Sequence, residues 1–279
     1  MDNLVLQIKV APGDPEWMCD LLAGRAALPK GRIKEAMEKG GAWLRRAGHR
    51  RRVRRAKTRV ATGDVVELFY DRDLLDRSAP PPRRLHDAGR YSVWYKPAGL
   101  MTQGTDFGDH CSLPRQVQAQ LGPSRPVFLV HRLDREARGL ILLAHDQRAA
   151  AALSQLLRER RMIKRYQVEV RGDLGAKGAN GRIDLPLDGK SAGTEYRMLS
   201  HDPAADTSLV EVILHSGRRH QIRRHLAMAG HPVMGDPRYG QGNKNSTGLR
   251  LVAVGLAFVC PFTGRPVAFE LPAGPDYGF

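Results

Sequence analysis

Apolar side chains in the first seventy residues follow a weak alternation, then a helical period, and then a strand period. Residues 1–12 alternate weakly, which predicts a short edge strand. Residues 16–41 are spaced as in a helix, but Pro29 interrupts them, so we expect two short helices, the second ended by Gly40-Gly41. Residues 65–70 follow a turn and predict a strand.

Further along the chain, short strand-like runs are mixed with two helical segments. Apolar runs and alternation predict strands at residues 91–95, 140–144, 164–170, 209–214 and 251–260. One helix is predicted after Asp146, whose carboxylate can cap it, and another over residues 216–230, where Gly230 ends it. Residues 172–182 are rich in glycine and predict a loop.

Residues 76–90, DRSAPPPRRLHDAGR, contain three consecutive prolines and no apolar period. Such a segment predicts a semi-rigid linker. The chain is therefore predicted to form two domains, over residues 1–75 and 91–279.

The charge balance indicates the partner class. The chain has 279 residues, 42% of them hydrophobic, which is enough for one large or two smaller cores. Its 45 Lys and Arg exceed its 29 Asp and Glu, for a net charge of +16. Such an excess usually marks a nucleic-acid partner, although a merely basic protein stays an alternative. A membrane partner is disfavoured because no stretch pairs a basic face with exposed bulky apolar residues.

Localisation is predicted from features of the termini and cysteines. The N-terminus has no charged leader followed by a long apolar core, and the longest apolar run, 251–260, is too short to span a bilayer. The three cysteines, Cys19, Cys111 and Cys260, are far apart and odd in number, which favours a reducing cytoplasm and neither a disulfide frame nor a cysteine zinc site.

Residues 42–59 form the most basic segment, with nine Lys and Arg. The alternative of a disordered basic segment is disfavoured by the periodic helices and strand around it. With LPKGRIKEAMEKGGAWLRR before it and TGDVVELFY after it, the region resembles the S-four-like RNA-binding domain, a small two-helix-plus-hairpin module. The arginines can neutralise phosphates without reading sequence. RNA contacts are predicted for Arg45, Arg46, Arg51, Arg52, Arg54 and Arg55.

Two charged stretches carry the candidate chemistry. Residues 129–144, LVHRLDREARGLILLA, place dense charges between two apolar segments, which suits a loop that opens into a cleft, although a solvated surface loop is the simpler interpretation. Residues 216–240, SGRRHQIRRHLAMAGHPVMGDPRYG, form the second stretch. The two together are far more specific than either alone.

Almost all of residues 91–279 resembles the RluA family of pseudouridine synthases. The matching motifs, in the family's order, are KPAG at 96–99, HRLD at 131–134 with Gly139-Leu140, Lys164-x-Tyr166, GKxAxTxY at 189–196, GRRHQIRRH at 217–225 and GHPVMGDPRYG at 230–240. The resemblance implies an α+β catalytic domain with a mixed, largely antiparallel sheet and flanking helices. It also implies isomerisation of uridine in RNA to its C5-glycosidic isomer, without cofactor or metal.

The resemblance further implies a role for each matching residue. Asp134 would be the catalytic acid, either attacking the ribose C1′ or assisting proton removal at the sugar. Tyr166 would pack on the target base, and Arg223 would hold Asp134 through a two-bond fork. Arg132 would help to extrude the uridine. Further RNA contacts are predicted for His131, Arg218, His220 and Gln221.

The expected substrate is structured RNA, with large-subunit ribosomal RNA favoured over transfer RNA, and the expected state is a cytoplasmic monomer. The alternative is a non-catalytic RNA-binding or ribosome-assembly protein on the same fold. Taken alone, Tyr166 is better explained as a strand aromatic and Arg223 as a solvated cation. His220, His225 and His231 lack a usual zinc spacing.

Two acidic residues and one dipeptide near the motifs need a separate interpretation. Glu136, two residues from Asp134, is compatible with a glycosidase pair by spacing alone. Asp236 is interpreted as a turn residue. Ala137-Arg138 stands where the family usually has Thr-Ser, which puts local loop packing and RNA contacts in doubt, but not the chemistry.

Overall fold

The computed structural model describes residues 3–214, 217–272 and 274, and they form two compact units. The N-terminal unit consists of the chain up to residue 79 together with residues 101–120. The large-sheet unit consists of residues 80–100 and the chain from residue 121 onward. The predicted boundaries at 75 and 91 are therefore wrong, because a segment from beyond residue 91 completes the N-terminal unit.

The described residues contain fourteen strands and six α-helices. The strands are β1 (Asn3–Lys9), β2 (Ala42–Arg46), β3 (His49–Arg52), β4 (Val65–Asp71), β5 (Arg83–Asp87), β6 (Tyr91–Lys96), β7 (Phe128–Leu129), β8 (Arg138–Ala144), β9 (Met162–Arg171), β10 (Asn180–Asp184), β11 (Gly193–Asp202), β12 (Thr207–Leu214), β13 (Leu251–Val259) and β14 (Pro266–Glu270). The helices are α1 (Met18–Ala26), α2 (Lys30–Glu38), α3 (Arg72–Leu75), α4 (Leu113–Leu121), α5 (Gln147–Arg158) and α6 (Gln221–Met228).

The N-terminal unit has a four-stranded sheet in the order β1-β4-β2-β3 and a shared core with its helices. The prediction of two helices separated by Pro29 is confirmed, since α1 ends at Ala26 and α2 begins at Lys30. Gly40 follows α2 with a φ of 91°, a conformation that glycine adopts without strain. Apolar side chains from α1, α2 and β4 meet in this core, which explains why the local pattern predicted the elements.

The large sheet runs in the order β10-β11-β12-β9-β13-β8-β6-β5, with β14 beside β13 and β7 beside β8. Among the described strands, one pair is parallel, β8 with β13, and the other pairs are antiparallel. Helix α5 packs its apolar side against the sheet, and Asp146 caps it by accepting a hydrogen bond from Ala149 N (2.8 Å). The prediction of an α+β unit with a mixed, largely antiparallel sheet is confirmed.

The predicted linker is wrong over residues 83–87, which form β5 and pair with β6 at the sheet edge. The sequence there offers one inward apolar residue, Leu85, between charged neighbours. An edge strand tolerates such charges because one of its sides faces solvent. The prolines at 80–82 thus precede a strand and do not form part of a longer linker.

Two further predictions need correction. The helix predicted over 216–230 is α6, which begins at Gln221, because His220 has a left-handed backbone (φ 52°) that a helix cannot continue; Ser216 lies outside the described residues. The loop predicted over 172–182 contains a 3₁₀ turn at Leu174–Lys177, and β10 begins at Asn180. Within the described residues, each helix is too short or too polar to cross a bilayer.

Candidate active site

Asp134 lies in the loop between β7 and β8, at the point where the parallel strands β8 and β13 meet. Gly139 has a φ of 115° and faces Ala253, so that a Cβ at this position would lie 2.2 Å from the Ala253 carbonyl oxygen. Only glycine fits that approach. The glycine therefore fixes where the Asp134 loop leaves the sheet.

A buried lysine, Lys96, is hydrogen-bonded to the loop that carries Asp134. The Lys96 ammonium is fully buried and donates to the carbonyl oxygens of Pro97 (3.0 Å), Leu100 (2.8 Å) and Arg135 (3.2 Å). Burial lowers the pKa of Lys96 to about 7, although the nearby acids Glu136 and Asp134 oppose that shift. The residue next to Asp134 is thereby tied to the end of β6.

Arg223 of α6 connects Asp134 to a second acid, Asp236. Arg223 NH1 donates to Asp134 Oδ2 (2.9 Å), while Nε and NH2 donate to the two oxygens of Asp236 (2.7 Å each). The predicted pairing of Arg223 with Asp134 is thus present, but the two-bond fork is directed at Asp236. The predicted fork on Asp134 is wrong.

Asp236 is a structural anchor for this arrangement. Its side chain is fully buried, and Oδ1 also accepts hydrogen bonds from the backbone N–H groups of Arg238 (2.8 Å) and Tyr239 (3.2 Å). Burial opposes ionisation, but the hydrogen bonds from Arg223 and the backbone outweigh it and lower the pKa of Asp236. Its interpretation as a turn-fixing residue is confirmed, and orienting Arg223 is an additional role.

Tyr166 lies on β9 opposite the Asp134 loop. The residue is 6% exposed, and burial, followed by the negative charge of Asp134, raises the pKa of its phenol above the usual range. Residues 162, 164 and 166 alternate inward on this strand, so Met162 and Lys164 share the face of Tyr166. Tyr166 is therefore a neutral aromatic side chain at neutral pH.

These residues line one pocket of about 390 Å³, within the range of small-ligand sites. Asp134, Tyr166 and Arg223 all contribute to its wall. The remaining wall residues are Val130, His131, Arg132, Leu133, Leu157, Met162, Lys164, Leu214, Gly217, Arg218, Arg219, His220, Gln221, Ile222 and Leu251. The structure thus brings the three predicted catalytic residues together in one cavity.

His131 is held by the backbone of β8. Leu142 N–H donates to His131 Nε2 (3.0 Å). Burial, followed by the positive charge of Lys164, lowers the pKa of His131 to about 3, so the ring is neutral. Because Nε2 accepts, the proton of the neutral ring belongs on Nδ1.

The other predicted RNA contacts of this unit fall into two groups. Arg132 is an exposed cation in the pocket wall. Arg218 and His220 have protein partners, since Arg218 Nε donates to Ser191 O (3.2 Å) and His220 Nδ1 lies 2.9 Å from the Tyr239 hydroxyl. His220 Nε2 also lies 3.7 Å from Asp134 Oδ1, so this histidine adjoins the acid.

Gln221 is buried and its amide serves the loop before α6. Its Nε2 donates to Gly193 O (2.8 Å) and Thr194 Oγ1 (3.1 Å), and its Oε1 accepts from Arg218 N (3.0 Å). An amide engaged in this way is not offered to a ligand. The predicted RNA contact of Gln221 is therefore corrected to a structural role.

In the N-terminal unit, the basic segment is a β2–β3 hairpin and its continuation, and several of its arginines pair with acids. Arg45 lies 3.7 Å from Glu67, Arg46 binds Asp64 (2.6 Å), Arg54 binds Asp109 (2.5 Å) and Arg52 lies 3.7 Å from Asp109 and over the Trp43 ring (4.3 Å). Arg51 and Arg55 are exposed, and no hydrogen bond or ion pair joins either guanidinium to another described residue. Arg51 and Arg55 are therefore the best placed of the predicted six to meet RNA.

The alternatives from sequence receive no geometric support among the described residues. Glu136 pairs with its neighbour Arg135 (2.8 Å) and does not line the pocket. Groups of three or more His, Cys, Asp and Glu suited to a metal do not occur there. Ala137 is fully buried and Arg138 begins β8, and neither lines the pocket.

Sequence reasoning missed Lys164, which lies in the pocket wall and is 9% exposed. It also missed Tyr239, whose ring lies 5.2 Å from the Arg223 guanidinium. The Lys164-x-Tyr166 alternation was the available signal for the first, since both side chains must share a strand face. No local signal pointed to Tyr239.

Comparison with known proteins gives consistent matches. The model of the family described as RNA pseudouridylate synthase matches residues 90–228. An uncharacterized RNA pseudouridine synthase of Chloroflexus aurantiacus is 36% identical over 202 residues, which cover 65% of this chain and 62% of that protein, less than two thirds of its length. Ribosomal large subunit pseudouridine synthase D of Zymomonas mobilis is 32% identical over 235 residues, covering 75% of this chain and 69% of that protein.

A second protein with the name Ribosomal large subunit pseudouridine synthase D, from Nitrosomonas europaea, is 30% identical over 250 residues, covering 79% of this chain and 71% of that protein. Among solved structures, the human RNA pseudouridylate synthase domain containing 1 superposes with a TM-score of 0.59 at 22% identity. That superposition covers 71% of this chain and 85% of the human chain, and it shows a shared fold.

Proposed function

The chain belongs to the family of RNA pseudouridine synthases, and we propose that it isomerises specific uridines in structured RNA to pseudouridine. The observation that carries the proposal is the Asp134 carboxylate, held by Arg223 (2.9 Å) in a pocket that also contains the buried Tyr166 ring. A carboxylate suits both steps considered for Asp134, attack at the ribose C1′ and assistance in removing a proton from the sugar.

Arg223 and Tyr166 have distinct tasks in this mechanism. Burial opposes the charge on Arg223, but hydrogen bonds to Asp236 and Asp134 outweigh it and raise the pKa of the guanidinium, which therefore stays charged. This guanidinium donates to Asp134 Oδ2 (2.9 Å) and so fixes the direction of one carboxylate oxygen. Tyr166, kept neutral by its burial, offers a ring face on which a planar base can pack.

A base must leave its helical stack to enter a pocket with a buried interior, which costs a few kcal/mol. Arg132 is exposed and lies two residues before Asp134, at the pocket wall. We assign it to the extrusion step, in which a cation can take the place of the flipped nucleotide and contact the neighbouring phosphates.

Affinity for RNA is proposed to come largely from unspecific phosphate contacts. The net charge of +16 supports this assignment, and Arg51 and Arg55 of the N-terminal unit are candidates for such contacts. Large-subunit ribosomal RNA is the first substrate class, with transfer RNA second, because two of the relatives are named for the ribosomal large subunit. We expect the protein to act as a monomer in the cytoplasm.

The test is pseudouridine mapping of total RNA from cells with the gene, without it, and with an Asp134→Asn copy. We expect one or a few uridines to lose modification both without the gene and with the variant. The purified variant should bind RNA within a few-fold of the parent, since phosphate contacts carry most of the affinity. Identical maps in all three strains would instead support a non-catalytic RNA-binding or ribosome-assembly protein, and full activity of the purified variant would remove Asp134 from the mechanism.

A further inference from the structure

The pocket has an exposed and a buried end. Arg132 and Arg219 are exposed cations, whereas Met162, Leu214 and Leu251 are each no more than 6% exposed. A nucleotide entering such a cavity keeps its charged phosphates near the exposed arginines and places its flat base among the apolar side chains. Polar groups at the buried end therefore meet the base.

Two hydrogen-bond donors lie at that buried end. The first is His131 Nδ1–H, which is shielded from solvent and has no partner among the described residues, while Nε2 of the same ring is occupied by Leu142 N–H. A shielded donor left without an acceptor costs about 1–3 kcal/mol. An acceptor atom supplied by the ligand would remove that cost.

The second donor is the Lys164 ammonium. Lys164 is 9% exposed, shares a strand face with Tyr166, and points toward the loop before α6, where a Cβ on Gly217 would lie 3.7 Å from Nζ. Its charge contributes to the lowered pKa of His131, which indicates that the ammonium and the imidazole are neighbours. The neutral imidazole cannot accept a proton at Nδ1, so both groups present hydrogens to the cavity.

We propose that His131 Nδ1–H and the Lys164 ammonium form a donor pair that binds the C4 carbonyl oxygen of the flipped base and thereby selects uracil over cytosine. Uracil carries carbonyl oxygens at both C2 and C4, whereas cytosine carries an amino group at C4. Facing that amino group, His131 Nδ1–H would be left without an acceptor and the Lys164 ammonium would meet a second N–H donor, and such a mismatch is a strong basis for rejection. The proposal rests on the proposed function and names the specificity residues of the same site.

The variants are chosen to remove one donor at a time. Lys164→Met removes the ammonium and keeps a straight side chain, while Lys164→Arg keeps a cationic donor. His131→Gln removes the Nδ1 donor but can keep an oxygen near the position of Nε2 for Leu142 N–H. Circular dichroism and a thermal melt of each full-length variant establish that it is folded.

The assay compares two transcripts that span a uridine mapped with the parent enzyme, one with uridine and one with cytidine at that position. Competition binding gives the dissociation constants, and their ratio is the discrimination factor. We expect Lys164→Met and His131→Gln each to lower that factor about tenfold, by weakening binding of the uridine transcript alone. Lys164→Arg should retain most of the discrimination.

The other outcomes overturn the proposal. An equal loss of affinity for both transcripts would assign Lys164 to a phosphate oxygen, and unchanged affinity for both would leave the pair without a role in recognition. A parent enzyme that modifies no uridine would defeat the proposed function and this inference with it. An active parent whose variants keep full discrimination would defeat the inference alone.

Discussion

Replacing Asp236 by asparagine should lower the free energy of unfolding of the large-sheet unit by about 3–5 kcal/mol, the usual cost of removing one partner of a buried ion pair. Arg223 is 3% exposed and Asp236 is fully buried, so solvent cannot replace the two lost charged hydrogen bonds, and Arg223 keeps only its single charged bond to Asp134. Asparagine can keep Oδ1 for the Arg238 and Tyr239 N–H groups. It places an amide NH₂ where Arg223 Nε–H needs an acceptor.

A matched control is the ion pair of the next arginine on the same helix, Arg224. Asp188 pairs with Arg224 through two bonds (2.9 and 3.1 Å), but its side chain is 68% exposed. Asp188→Asn should therefore cost only about 0.2–1 kcal/mol. Each carboxylate accepts two hydrogen bonds from one arginine, so the difference between the two variants reports how far burial increases the cost of losing such a pair.

The assay is urea denaturation followed by the fluorescence of Trp94, the tryptophan of the large-sheet unit. Trp17 and Trp43 belong to the N-terminal unit and are replaced by phenylalanine in the parent and both variants. If Asp236→Asn and Asp188→Asn lost the same small amount, the charge network around Arg223 would not be the buried anchor described above. A loss of more than about 3 kcal/mol in Asp236→Asn alone would support it.

Three further outcomes are expected. Arg223→Lys should lower the rate at saturating RNA about 100-fold, because one ammonium cannot bridge Asp134 and Asp236, and a parent-like rate would contradict this. Because the pKa of Lys96 is about 7 in the folded chain, the unfolded chain holds a proton on this side chain between about pH 7 and 10 that the folded chain has released. The free energy of unfolding should therefore rise over that range, and more steeply in the parent than in Lys96→Met. Equal slopes in urea titrations of the two proteins would contradict the lowered pKa. Arg51→Ala with Arg55→Ala should flatten the slope of log affinity against log salt by about 1.4–1.8, and an unchanged slope would mean that these two do not touch RNA.

Elements whose apolar residues follow a local period could be predicted from the sequence. The run after Gly139 and the alternation from Lys164 to Val170 became β8 and β9, because those strands are buried by the residues that set the pattern. Strand β5 was not predicted, because it carries a single inward apolar residue, Leu85, and depends on pairing with β6. A strand stabilised by its neighbour leaves little trace in its own sequence.

The sequence predicted which residues form the candidate site better than it predicted how those residues are arranged. The order of the motifs predicted that Asp134, Tyr166 and Arg223 belong to one site, and all three line the pocket. The direction of the Arg223 fork could not be predicted, because Asp236 comes within reach only when the loop after α6 folds back. The left-handed backbone at His220, which delays the start of the predicted helix to Gln221, is likewise not visible in apolar periodicity.

The return of residues 101–120 to the N-terminal unit has a consequence for synthesis on the ribosome. The first 79 residues are made first, yet their unit lacks its last segment until residue 120 has been added. At about 5–20 residues per second, that wait is about 2–8 s after the first stretch is complete. During this interval β5 and β6 of the other unit are translated, so these two strands leave the ribosome before the N-terminal unit is complete and long before their partners β8 and β13 exist.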